Sequence, residues 1–172
     1  MAAFCIDGKI GVQVTDAPVT TPVWPIGTRA LMSDGTMWIY GTVPTSTAIV
    51  QYAACGQISA TDTESITSTI GLRGVGICIN QQTVSSDTAN KQYLWFLIAN
   101  PYGVTTYKVR VAASCAIDAK LATTAYAGTL DDTTAGTVLR VDGIVLTDSQ
   151  PSGSSGSRTF RTNNYPLTWG AV

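Results

Sequence analysis

The residues able to do chemistry in this chain are few, and the missing types narrow the choice first. The 172 residues include no histidine, so neither a serine–histidine–acid triad nor a cysteine–histidine pair can be assembled. Glu64 is the only glutamate, and Asp131-Asp132 is the one adjacent acidic pair. Neighbours on a strand face opposite sides, and both aspartates sit among turn formers, whereas a glycosidase needs carboxyls that converge across a cleft. Asp7-Gly8, Asp34-Gly35 and Asp142-Gly143 read as turns rather than as calcium loops. Gly71-x-x-Gly74-x-Gly76 has its glycines in the wrong order for a phosphate loop and no helix after them. The four cysteines, Cys5, Cys55, Cys78 and Cys115, contain no C-x-x-C pair. Cys78 in GVGICI and Cys115 in VAASCA read as small buried residues, while Cys5 and Cys55 lie nearer loops and are the pair open to bridging in an oxidising medium. The sequence therefore assigns no catalytic residue, no metal ligand and no cofactor, and the chain is expected not to be an enzyme.

Charge excludes further classes. Ten basic and eleven acidic residues are scattered along the chain, with no basic stripe to neutralise phosphates, so nucleic acid is not expected as a direct partner. The most apolar run, residues 93–99, is far shorter than the ~20 residues of a spanning helix, and no membrane association is expected. The opening MAAFCIDGKI lacks the basic region of a secretory signal, which implies synthesis and first folding in a cytoplasm. A net charge of −1 with few surface charges favours self-association over monomeric solubility.

The elements that would carry any site are strands. Residues 104–112 alternate, with Tyr107, Val109 and Val111 on one face and Lys108 and Arg110 on the other. Residues 93–99, YLWFLIA, are apolar at nearly every position and predict a central strand buried on both faces. Pro101 and Gly103 break it, so 93–99 and 104–112 are expected to be antiparallel neighbours. Asp34-Gly35 and Asp142-Gly143 each predict a hairpin, the first between 30–32 and 37–40, the second between 138–141 and 144–146. Trp38 and Tyr40 share one face of the first hairpin, and Met37 and Ile39 the other. A further short strand is expected at 49–54, a loop or irregular edge at 61–69, and a strand at 71–79 whose glycines leave room for a bulky side chain or a close backbone crossing. Residues 81–90 are polar and turn-like. The fold class that follows is all-β, an antiparallel barrel or sandwich of about eight to ten short strands.

Three parts are expected: an extended arm over 1–23, a core over 24–147, and a Gly/Ser linker with a tail or final strand over 148–172. In the first, Pro18 and Pro22 block a helix while Val12, Val14, Val19 and Val23 favour extension, leading to Trp24. An ordinary first strand fits these residues as well as an arm laid on a neighbouring subunit. In the last part, Phe160, Tyr165 and Trp169 alternate with Arg158 and Arg161, residue types that anchor interfaces. A final strand of the same barrel fits them equally. Val12, Val14, Val19, Val23, Trp24, Phe160, Tyr165 and Trp169 are thus the candidate contact residues.

Two stretches carry a family resemblance. VAASCAIDAKLATTAYAGTLDDTTAGTVLRVDGIVL, over 111–146, resembles a segment of the head decoration (cement) proteins of tailed bacteriophages, and PIGTRALMSDGTMWIYG, over 25–41, resembles a hairpin near their start. The resemblance implies a structural virion protein on the capsid exterior, a homotrimer that stabilises the lattice with the major capsid protein as partner. A different class stays open on the residues alone. Trp24, Trp38, Tyr126 or Trp169, if exposed, would suit a carbohydrate- or receptor-binding β-module. A capsid or tail subunit proper would need more chain and helices.

Overall fold

The computed structural model of the chain describes residues 14, 17–45, 48–57, 63–65, 73–80, 90–132, 140–162 and 168–170. Among these residues every regular element is a strand. In chain order they are β1 (Arg29–Leu31), β2 (Met37–Val43), β3 (Ala54–Gln57), β4 (Thr63–Ser65), β5 (Arg73–Ile77), β6 (Gln92–Ala99), β7 (Lys108–Val111), β8 (Leu121–Thr123), β9 (Leu130–Asp131), β10 (Arg140–Asp142), β11 (Ile144–Leu146), β12 (Gly156–Thr162) and β13 (Thr168–Gly170). One sheet has the order β1-β2-β6-β5-β3-β4, the other β11-β12-β7-β9-β8-β10-β13. The β7–β9 pair, at Val111↔Leu130, is parallel, and the other described pairs are antiparallel. The all-β class is the one the turn spacing predicts, though the described residues form thirteen strands rather than eight to ten, because several are only two or three residues long.

β6 shows why the sheets stack. Its side chains alternate, and each set enters a different apolar cluster: Trp95 and Leu97 join Trp38, Tyr40, Val109 and Phe160 between the two sheets. Leu94 and Phe96 join Val43, Ile49, Cys55 and Cys78 on the other face of the first sheet. A strand apolar at every position satisfies both faces only as an interior strand, with β2 on one side and β5 on the other. Phe96 and Leu97 are fully buried, each worth about 1.5–3 kcal/mol relative to exposure. The glycine face of β5 lets that strand close on β6, since a Cβ on Gly76 would run into the carbonyl oxygen of Leu97.

Four features differ from the local reading or resolve it. First, β6 and β7 are not neighbours; they belong to different sheets. The chain turns through Pro101 and Gly103 (φ 62°), and the fully buried Asn100 fixes the crossing. Its Nδ2 donates to the Phe160 carbonyl at 2.8 Å and to Val104 at 3.3 Å, while its Oδ1 accepts from the Val104 amide at 2.8 Å. Its backbone exchanges hydrogen bonds with Thr162, donating to Oγ1 at 3.1 Å and accepting from the amide at 3.0 Å.

Second, Asp142-Gly143 makes no hairpin. One residue separates β10 from β11, too few for reversal, and Gly143 (φ 91°) instead bends one continuous run. β10 pairs with β8 and β13, and β11 with β12, so the sheet curls round toward itself at this corner.

Third, the strand expected at 49–54 begins only at Ala54. Tyr52, at φ 64°, turns the chain so that its amide donates to Cys78, just past β5 of one sheet, and its carbonyl accepts from Arg110 in the other, at 2.6 and 2.9 Å. Fourth, the C-terminal segment supplies strands. β12 pairs with β11 and β7, Phe160 is fully buried, and the intervening loop is anchored by Gln150, whose amide donates to Cys115 at 2.9 Å. β4 lies at the edge of the first sheet, as an irregular edge at 61–69 would require. The polar stretch 81–89 falls outside the described residues.

Candidate interaction surface

The segment 17–28 lies against the first sheet by backbone and by rings. Val19 forms an antiparallel bridge with Tyr93, donating at 3.0 Å and accepting at 2.8 Å. Further on, the Val23 amide donates to the Tyr40 hydroxyl at 3.2 Å, and Gly27 and Thr28 exchange backbone bonds with Tyr40 at 2.8 Å each. Beneath it, Tyr40 stacks on Tyr93 at 6.4 Å between centroids and tilts against Trp95 at 5.1 Å, while Trp24 reaches Trp95 at 6.4 Å. Such aromatic pairs contribute roughly 0.5–1.5 kcal/mol each beyond their area.

Three aliphatic side chains on this segment remain outside: Val19 is 37% exposed, Val23 69% and Ile26 37%. Val19 spends its amide and carbonyl on Tyr93, and Pro18 and Pro22 have no N–H to offer. Proline on an outward edge discourages strand addition.

The remaining candidate residues separate. Val14 is buried in the main core, Trp24 is partly buried against it, and Phe160 lies at its centre. Trp169 stands opposite Val141 in the β10–β13 register. Val12 and Tyr165 fall outside the described residues, as does Cys5. Ile26 escaped the sequence reading; its signal was an aliphatic residue held between Pro25 and Gly27, where a turn normally places polar ones. Trp38 is fully buried, so it offers no sugar-stacking face, and Tyr126, 77% exposed, stands in the bend that follows β8.

The residues with chemical potential are occupied structurally. Asp131 and Asp132, read as facing opposite sides, both reach the turn that follows β7. Asp131 Oδ1 accepts from Cys115 Sγ at 3.7 Å and Asp132 Oδ2 from the Ala116 amide at 2.9 Å, placing a thiol and two carboxylates within 4.8 Å of one another. Burial pushes the Cys115 thiol up to about 11, with the charges of Asp132 and Asp131 adding to the rise. It is a protonated hydrogen-bond donor at neutral pH, unlike an activated thiolate. Cys55, Cys78 and Cys115 are all free and buried, as expected for Cys78 and Cys115; Cys55 sits inside the second apolar cluster rather than near the surface.

The Asp34-Gly35 turn is tied to the second sheet by a polar chain. Trp38 Nε1 donates to Thr36 Oγ1 at 2.9 Å, Thr36 Oγ1 donates to Asp34 Oδ1 at 2.6 Å, and the Tyr107 hydroxyl donates to Asp34 Oδ2 at 3.5 Å. Trp38 and Tyr107 also meet edge to face at 5.3 Å. Burial, and then the negative charge of Asp34, push the Tyr107 phenol up to about 12, and burial alone takes the Cys78 thiol to about 12. Each of these groups holds its proton more tightly folded than unfolded. Their contribution is complete below the unfolded values of 9.0 for thiols and 10.0 for phenols, and is lost as pH climbs through about 11 to 12. The melting temperature is therefore expected to hold from pH 7 to about 8.5 and to fall steadily above 9. Tyr107→Phe should flatten the upper part of that fall. A melting temperature constant to pH 11 would contradict the assignment.

No protein-family model, curated protein or solved structure matches the chain.

Proposed function

We propose that this chain is a structural virion protein that decorates a bacteriophage capsid and stabilises its lattice, as a homotrimer bound to the major capsid protein on the shell's outer face. The observation that carries the reading is the exposed aliphatic strip Val19, Val23 and Ile26, presented on a segment that is already fixed to the fold. A pre-ordered strip loses little conformational freedom on docking, so more of the roughly 25 cal/mol per Å² of apolar burial is retained. The stretches that resemble decoration proteins supply β1 and β2 in one sheet and β8 to β11 in the other, with the end of β7, so the likeness spans both layers. Near-neutral charge and the absence of histidine point the same way, toward assembly rather than catalysis.

Truncating the N-terminal region would test this poorly, because Val14 belongs to the core and Val19 to a bridge with β6. The double variant Val23→Ser, Ile26→Ser leaves the anchors in place. Its stability should change by no more than about 0.5 kcal/mol per site. Its occupancy on purified capsids should drop about tenfold or more, the equivalent of 1.4 kcal/mol of contact. Undiminished binding and heat protection would remove the strip from the contact. Light scattering that finds a monomer both free and on capsids would refute the trimer.

A further inference from the structure

Beside the β1–β2 turn lies an open groove of about 610 Å³ whose walls include Leu31, Met32 and Pro101 and whose polar side chains are Ser33, Asp34 and Tyr102. We propose that this groove receives an arginine side chain of a partner protein, its guanidinium stacked on Tyr102 and hydrogen-bonded to Asp34. The inference concerns a surface other than the aliphatic strip and does not depend on the decoration reading.

Both partners of such a contact are available. Tyr102 is 80% exposed, yet its ring is placed: its Cδ2–Cε2 edge lies so close to Gly35, which adopts φ 79°, that a Cβ there would run into it. One edge of the ring is thus held against the turn. Asp34 Oδ1 is committed to the amide and hydroxyl of Thr36 at 3.0 and 2.6 Å. Oδ2 takes only the Tyr107 hydroxyl at 3.5 Å and keeps capacity to accept. Among the described residues no basic group pairs with Asp34.

Arginine fits better than a neutral sugar. A polyol needs several directed donors and acceptors, and the lining supplies three hydrogen-bonding side chains, Ser33, Asp34 and Tyr102. A guanidinium needs a ring face and one carboxylate, both present, with apolar walls for its methylene stem.

The test is an amide-resolved NMR titration of the full chain with N-acetyl-arginine-amide at constant ionic strength, with a neutral disaccharide as comparison. Saturable shifts are expected at Ser33, Gly35 and Tyr102, with a midpoint on the order of tens of millimolar for a single exposed side chain. Asp34→Asn keeps the acceptor for Thr36 while removing the charge, and Tyr102→Leu keeps cover over Gly35 while removing the ring. Each should weaken the shifts about threefold or more. Non-saturating shifts spread over the surface would overturn the proposal, as would a response to the disaccharide but not to arginine, or unchanged binding by both variants. Since the probe contains no capsid, its failure leaves the decoration reading standing, and failure on capsids leaves the groove result standing.

Discussion

Asn100→Ala is expected to destabilise the protein by about 2–4 kcal/mol, because it strands a buried carbonyl and a partly buried amide at once. The Asn100 side chain is the bond partner of the Phe160 carbonyl and of the Val104 amide, both at 2.8 Å. Alanine can replace neither, and each buried group left unpaired costs about 1–3 kcal/mol. The effect reaches beyond the loop, since these bonds join the end of β6 to β12 and so hold the first sheet to the second. In urea, with a slope of about 1–3 kcal/mol per molar, the midpoint should fall by one molar or more. A loss below about 1 kcal/mol would show that water or a relaxed loop satisfies the same groups. Asn100→Asp sharpens the test. A carboxylate can still accept from Val104 but cannot donate to Phe160 while ionised, so its destabilisation should lessen on acidification toward its pKa.

Gly76→Ala is expected to do comparable or greater harm, by a different route. The added methyl would meet the Leu97 carbonyl oxygen and carbon, which are backbone in the centre of the first sheet, and the Ile98 side chain behind them. Backbone held between β5 and β2 cannot swing aside as a surface side chain would. β5 must part from β6, where they pair at Ile77↔Leu97, and this exposes apolar surface on both faces of β6. Overpacking of a core costs typically 1–3 kcal/mol, and more where the obstacle is main chain. A soluble, cooperatively unfolding variant within 1 kcal/mol of the parent would mean that the two strands lie farther apart than described.

How much was legible depended on how locally each feature is encoded. The strand at 92–99 and its two buried faces follow from YLWFLIA at 93–99, because side chains alternate and nearly every position is apolar. The 34–35 turn follows from Asp-Gly, and the close approach at β5 from glycines on one face. Buried Cys78 and Cys115 follow from their apolar strings. The candidate contact residues were less legible. Val19 and Val23 are exposed, but Val14 and Phe160 carry the same aliphatic or aromatic signature and lie in the core. A residue type reports its preference for burial; it does not report whether its own chain or another supplies the cover.

By itself, then, the sequence determined the all-β class, the position of most strands, the absence of histidine-based chemistry and the turns that need glycine. These depend on steric and hydrophobic patterns within a few residues, which no distant contact alters. The tertiary structure decided which strands pair. β6 and β7 follow one another yet part into different sheets because the Asn100 side chain bonds Phe160, 60 positions away. Asp142-Gly143 becomes a corner rather than a hairpin because β10 and β11 each pair with strands from elsewhere in the chain. Asp131 and Asp132 converge on one turn because the parallel β7–β9 pair brings that turn to them. Pairing is a competition among partners far apart in the chain, settled by side-chain hydrogen bonds and packing that exist only once the layers have met.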